Sequence, residues 1–131
     1  MIAHEAEALI LDVFDLQERD RIVTFLTAEH GKKRGVAQGA RTKFSRFAGH
    51  LQLLSKLRVA WREKEGRELV RIQSAETLRP AAPLQEDLEG ILLTSYLAEH
   101  MSEFSIEDDP SSALYRLLDT TIEALLGGVD A

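Results

Sequence analysis

The chain has 131 residues, 44% of them hydrophobic, enough for one domain or a small domain with a helical appendage but not for two large ones. It has no cysteine, which excludes disulfides and thiolate zinc sites, and no apolar run approaches the roughly 20 residues that span a bilayer, so no membrane partner is expected and the expected location is cytoplasmic. The net charge of -6 divides unevenly: residues 1–80 hold 15 Lys+Arg against 11 Asp+Glu, a balance of +4, whereas residues 81–131 hold only Arg116 against 11 acids, a balance of -10.

The first half reads as strands, because apolar residues recur there at period two and are rich in β-branched and aromatic types. Ala8 to Phe14 and Arg21 to Thr27 form two such runs, joined by the polar segment Asp15 to Asp20 as a long-looped hairpin. Lys32 to Ala40 follows, punctuated by Gly31, Gly35 and Gly39, as where a curved strand bends. In the run Leu51 to Arg62, Leu51, Leu53, Leu57, Val59 and Trp61 share one face, while Lys56, Arg58 and Arg62 share the other. A turn at Glu63 to Arg67 leads into a fifth strand, Glu68 to Ser74. Five short strands with a glycine-bent third fit an OB-type barrel, and an SH3-like barrel fits the count as well.

After Pro80 and Pro83 the period changes to 3.6. Leu84, Leu88, Ile91, Leu92 and Tyr96 make one helical stripe. A second helix is expected to start with Asp109 as N-cap and Pro110 at its first position, to carry Leu114, Leu117, Leu118, Ile122 and Leu125 inward, and to end at Gly127-Gly128. The fold class expected is therefore α+β: a five-stranded β-barrel over residues 1–80, followed by a helical segment over 81–131.

Between His30 and Arg62 there are nine cations and no acid, and a polyanion would meet that local field rather than the net charge. The segment Gly39 to Phe47 sets Arg41, Lys43 and Arg46 among Phe44 and Phe47. Cations neutralise phosphates, and aromatic faces stack on unpaired bases, so both parts of a single-strand platform are present. The two phenylalanines are better suited to the underside of the barrel, as core, than to stacking. Lys32, Lys33 and Arg34 would extend the track if their strand neighbours the one bearing Lys56 and Arg58, although an ordinary polar strand face would look the same. Arg19 and Arg21 are expected to pair locally with Glu18 and Asp20. His4, His30, His50 and His100 lack ligand spacing, so no metal site and no cofactor are expected. Neither a P-loop nor a nucleophile elbow occurs, and Glu107-Asp108-Asp109 reads as charge at a helix start.

The blocks Glu18 to Phe25, Glu29-His30-Gly31-Lys32, Arg34-Gly35-Val36-Ala37, Gly39-Ala40-Arg41, Lys43 and Ser45-Arg46-Phe47 resemble the N-terminal domain of the RecO family. The likeness continues through Glu86-Asp87-Leu88 and Ser95-Tyr96-Leu97. It implies an OB-fold followed by a helical domain, in a DNA repair and recombination mediator that binds single- and double-stranded DNA and anneals complementary strands. Such a mediator works with RecR to help RecA replace single-strand-binding protein. The family's DNA contacts carry over to Lys32, Arg34, Arg41, Lys43 and Arg46. Family members run longer and many carry a cysteine zinc module, so this chain is expected to be a fragment or an abbreviated relative. A non-catalytic DNA-binding and annealing module is the leading expectation, and a protein-interaction adaptor is the alternative.

Overall fold

The computed structural model describes residues 2–130, the side chains of residues 128–130 excepted. Five strands, β1 (Ile2–Leu16), β2 (Asp20–Thr27), β3 (Gly31–Ala37), β4 (Lys56–Glu63) and β5 (Val70–Arg79), precede a 3-10 turn at Ala82–Gln85 and two helices, α1 (Leu88–Phe104) and α2 (Ser112–Asp130). The strands close into a barrel in the order β1-β2-β3-β5-β4, with β3 and β5 parallel and the other pairs antiparallel. This is the strand order of an OB fold.

The length of β1 makes closure possible. Its first part, Ile2 to Leu9, pairs with β4, and its second, from Ala8, pairs with β2 across an irregularity between Ile10 and Asp12. A bulge bends a strand and increases its twist, so one strand can seal both neighbours. Where it bends, Ala8, Leu9, Ile10 and Leu11 are all buried. Ala8 and Ile10 enter the barrel core with Phe25, Phe47, Trp61 and Ile72, while Leu9 and Leu11 face a second core shared with Leu84, Tyr115, Leu118 and Ile122 of the helical part. Burying each such side chain contributes about 1.5–3 kcal/mol before entropy is counted. An Asp119 carboxylate on α2, 3.1 Å from Lys56 Nζ and 2.7 Å from Arg79 Nη2, adds a polar link between α2 and the β4–β5 pair.

Several boundaries differ from the sequence expectation. The β1–β2 connection is a three-residue turn with Gln17 at φ 56 rather than a long loop. β4 starts at Lys56, because Leu54 takes φ 63 and breaks the period-two alternation; Leu51 and Leu54 are buried from a loop, while Leu57, Val59 and Trp61 face inward as expected. β5 runs on to Arg79, held by antiparallel pairing as far as Lys56.

The α1 stripe is also corrected. Asp87 caps the helix by accepting from Gly90 N at 2.7 Å, and Gly90 sits so close to Leu84 that a Cβ there would fall 1.9 Å from its carbonyl oxygen. That contact turns Thr94 and Ala98 inward, with Leu97 and Met101 half-buried beside them, and leaves Leu88, Ile91, Leu92 and Tyr96 exposed. α2 begins at Ser112 with Ser111 as its cap, since the Ser111 hydroxyl accepts from Leu114 N at 3.3 Å; Asp109 and Pro110 precede it. Its buried face is Tyr115, Leu118 and Ile122 rather than Leu117, and the helix continues through Gly127 and Gly128.

Candidate nucleic-acid interface

The cations singled out from the sequence meet very different surroundings. Lys33 is buried, its ammonium 2.5 Å from a Glu63 carboxylate oxygen and 2.6 Å from Asp108. Burial alone would push that ammonium down, but hydrogen bonds to Asp108 and Glu63, with their charges, outweigh it and hold Lys33 above the ordinary lysine range. Burial would raise Glu63, yet hydrogen bonds from Lys33 and from the Trp61 indole keep it below the usual carboxylate range. Lys32 donates to the Ser102 carbonyl of α1 at 2.7 Å, and Arg34 lies 3.9 Å from Glu107. Arg41 donates to the Gln17 carbonyl and stands 3.5 Å from Asp15. Lys56 is held by Asp119, and Arg58 by Glu5 at 3.8 Å and Glu7 at 4.0 Å across the β1–β4 pairing. These six cations carry structural partners in the folded chain.

The segment between β3 and β4 splits its aromatic pair. Phe47 is 2% exposed and belongs to the barrel core, so its ring offers no face to a base; the Arg46 guanidinium lies 4.9 Å from that ring's centre on the outer side. Phe44 is 92% exposed, with Lys43 Nζ 5.6 Å from the centre of its ring. The loop is pinned beneath them by His50, whose ring nitrogen accepts from Thr77 N at 3.2 Å, and by the Arg41 amide, which donates to the Arg19 carbonyl at 2.9 Å. Lys43, Phe44 and Arg46 are thus displayed on a braced loop.

Two hollows adjoin this loop and meet each other. One, of about 580 Å³, is lined by Arg62, Lys64, Arg67 and Arg71 from β4, the β4–β5 loop and β5. The other, of about 710 Å³, is lined by Arg19 and Arg46. They share Asp20 and Gln38, so they form one groove across the β1–β2 and β4–β5 loops. All six cations are exposed, and no ion pair is found for them among the described residues. The groove's acids are Glu18, Asp20 and Glu68, and Asp20 is already engaged, accepting from Gly39 N at 2.7 Å. Unpaired guanidinium groups in a concave wall concentrate positive potential where a polyanion can lie.

Sequence reasoning missed four of these six. Arg19 pairs with neither neighbouring acid, and Lys64, Arg67 and Arg71 sit in a stretch of alternating sign whose summed charge is small. The recoverable signal was positional, since in an OB fold the β1–β2 and β4–β5 loops border the binding face. Among the described residues no group of three or more His, Cys, Asp or Glu is placed to hold a metal ion, and no helix is long and apolar enough to cross a membrane.

A closed five-stranded barrel in this order, with a cation-lined groove between those two loops, defines an OB-fold module. Comparison with known proteins narrows the class further. The family described as Recombination protein O N terminal matches residues 1–81, and the chain belongs to the RecO family. It is 35% identical over 125 residues to the DNA repair protein RecO of Geobacter metallireducens, a match covering 95% of this chain and 50% of that protein. Against DNA repair protein RecO of Anaeromyxobacter sp. strain K the identity is 36% over 120 residues, covering 92% and 47%. Against that of Koribacter versatilis it is 30% over 124 residues, covering 95% and 51%. The chain thus spans about half the length of these curated relatives.

Proposed function

We propose that this chain is a non-catalytic DNA-binding module that holds single-stranded DNA in the groove between its β1–β2 and β4–β5 loops, in the service of DNA repair and recombination. The observation that carries the reading is the joined pair of hollows lined by six exposed cations without ion-pair partners. Phosphates would neutralise Arg19, Arg46, Arg62, Lys64, Arg67 and Arg71, and Phe44 would stack on a base at the groove's edge. Such contacts are indifferent to sequence. Membership of the RecO family supports the further reading that the bound strand is annealed to its complement, and that the module acts in the cytoplasm at the nucleoid with RecR and single-strand-binding protein to let RecA load.

Fluorescence anisotropy of a labelled single-stranded oligonucleotide tests the groove. Arg62→Glu with Arg71→Glu is expected to weaken binding at least about tenfold, since two phosphate contacts become repulsions. Arg116→Glu, a single reversal of the same kind at an exposed site on α2, is expected to leave affinity nearly unaltered. Equal losses from both would refute a groove-centred site.

A second reading has one observation in its favour. Leu88, Leu92, Tyr96 and Phe104 are 57–71% exposed along one helix, which suits contact with another protein. That adaptor role is compatible with an intact groove, and it becomes the main reading if single-stranded DNA fails to bind.

A further inference from the structure

Strand β3 carries three consecutive cations, and the acidic linker between α1 and α2 lies over them. β5 pairs with β3 only at Gly35 and Val36, which leaves the edge from Gly31 to Arg34 without a strand neighbour on that side. The linker fills the gap. Glu107 forms a parallel bridge with Lys32, and Asp108 N donates to the Lys32 carbonyl at 3.0 Å. The side chains follow the backbone, with Asp108 2.6 Å from Lys33 and Glu107 3.9 Å from Arg34. Two successive carboxylates therefore present their charges to two successive cations, as neighbouring phosphates would.

Two features show that the linker is held there rather than merely resting. Asp108 has φ 62, a left-handed conformation uncommon outside glycine, and its amide and carboxylate are both engaged by β3. The backbone of Asp109 presses on Gly31, where a Cβ would come within 2.5–2.7 Å of its N, C and O atoms. Gly31 itself has φ +71. The covered edge also opens toward the groove, because a hollow of about 460 Å³ beside Lys33, Arg34 and Asp108 shares Lys64 and Arg67 with it.

We propose that residues 107–109 are a built-in competitor for the β3 edge, and that their displacement adds Arg34 to the groove as a further phosphate contact for the same strand, while Lys33 stays buried against Glu63. This inference rests on the groove reading given above. Lys32 stays outside the added contact as well, because its ammonium is bonded to the Ser102 carbonyl. The weaker contact, Arg34 to Glu107, joins two partly exposed side chains and is the first that a polyanion would exchange.

The full chain, a fluorescein-labelled oligothymidylate and a salt series test the proposal by anisotropy. Glu107→Gln with Asp108→Asn removes the competing charge, whereas Gly31→Ala evicts the linker without changing any charge. Gly49→Ala is the control, since Gly49 has φ +79 with nothing within 4 Å and so shares the backbone strain but not the contact. Both linker-releasing proteins are expected to bind about three- to fivefold tighter at low salt, and to steepen the log–log salt slope by about 0.7, for one added phosphate. Gly49→Ala should behave as the parent does. A parent that binds with a salt slope while both releasing variants remain unchanged would overturn the proposal. So would tightening by Glu107→Gln with Asp108→Asn alone, which is the effect of lost negative charge. Failure of every protein to bind would bring down the groove reading itself, an outcome distinct from the other two.

Discussion

Two phenylalanines three positions apart illustrate what a side chain's setting decides. Phe47 fills the barrel with Phe25 and Trp61, and Phe44 stands in solvent beside Lys43. Sequence could pair them with the neighbouring cations but could not assign one to each role, because the turn-rich stretch from 38 to 55 has no period to read. Phe47→Ala is expected to cost about 3–5 kcal/mol of stability through the cavity it leaves. Phe44→Ala should change stability by less than about 0.5 kcal/mol and weaken single-strand binding by about 1–3 kcal/mol. Urea unfolding and oligonucleotide titration of the two variants check both halves. The same limit applied to Lys33: its place in a run of three cations was visible, but its burial between Glu63 and Asp108 depends on residues 30 and 75 positions away and has no local signature.

At the scale of elements, strands were more legible than helix faces. The inward alternation of Leu57, Val59 and Trp61 appeared directly in the sequence, because a strand's two faces follow from period two alone. α1 is apolar over a wide arc, so period 3.6 did not say which side the barrel would take, and the contact of Gly90 with Leu84 decided it. The acidic run 107–109 was visible too, but its packing against β3 instead of a helix start was not. What holds the helical part down makes a prediction of its own. Asp119, which burial alone would raise, is held below the ordinary carboxylate value of 3.8 by hydrogen bonds from Lys56 and Arg79 and by their charges. A carboxyl depressed in the folded state contributes stability above its unfolded pKa and loses it as pH falls through the folded one. The docking of α2 should therefore hold at neutral pH and weaken below about pH 4. Asp119→Asn should remove that acid sensitivity and cost about 2 kcal/mol, less than the loss from breaking a fully buried pair because the carboxylate is 20% exposed. Hydrogen exchange of α2 amides across pH, with and without the substitution, measures both effects.

For the whole molecule, the uneven charge division became a spatial one. The acids of α1, α2 and their linker accompany the helical part, while the groove's cations come from the strands and loops of the barrel. A net charge of -6 is thus compatible with a positive face, and a polyanion approaching groove-first meets attraction. The barrel class was legible in five strand runs and a bent third strand, and the family blocks selected the OB fold over its alternative. The groove was not legible, since it assembles loops that only barrel closure brings together. The central claim is that six groove cations neutralise phosphates of a single strand, and the salt dependence of binding tests it most directly. The log of the binding constant for a labelled oligothymidylate should fall against log salt with a slope of about -4, and of about -2 when Arg62, Arg67 and Arg71 are changed to Gln. A slope that is absent in the parent chain, or unchanged by the triple substitution, would contradict the account.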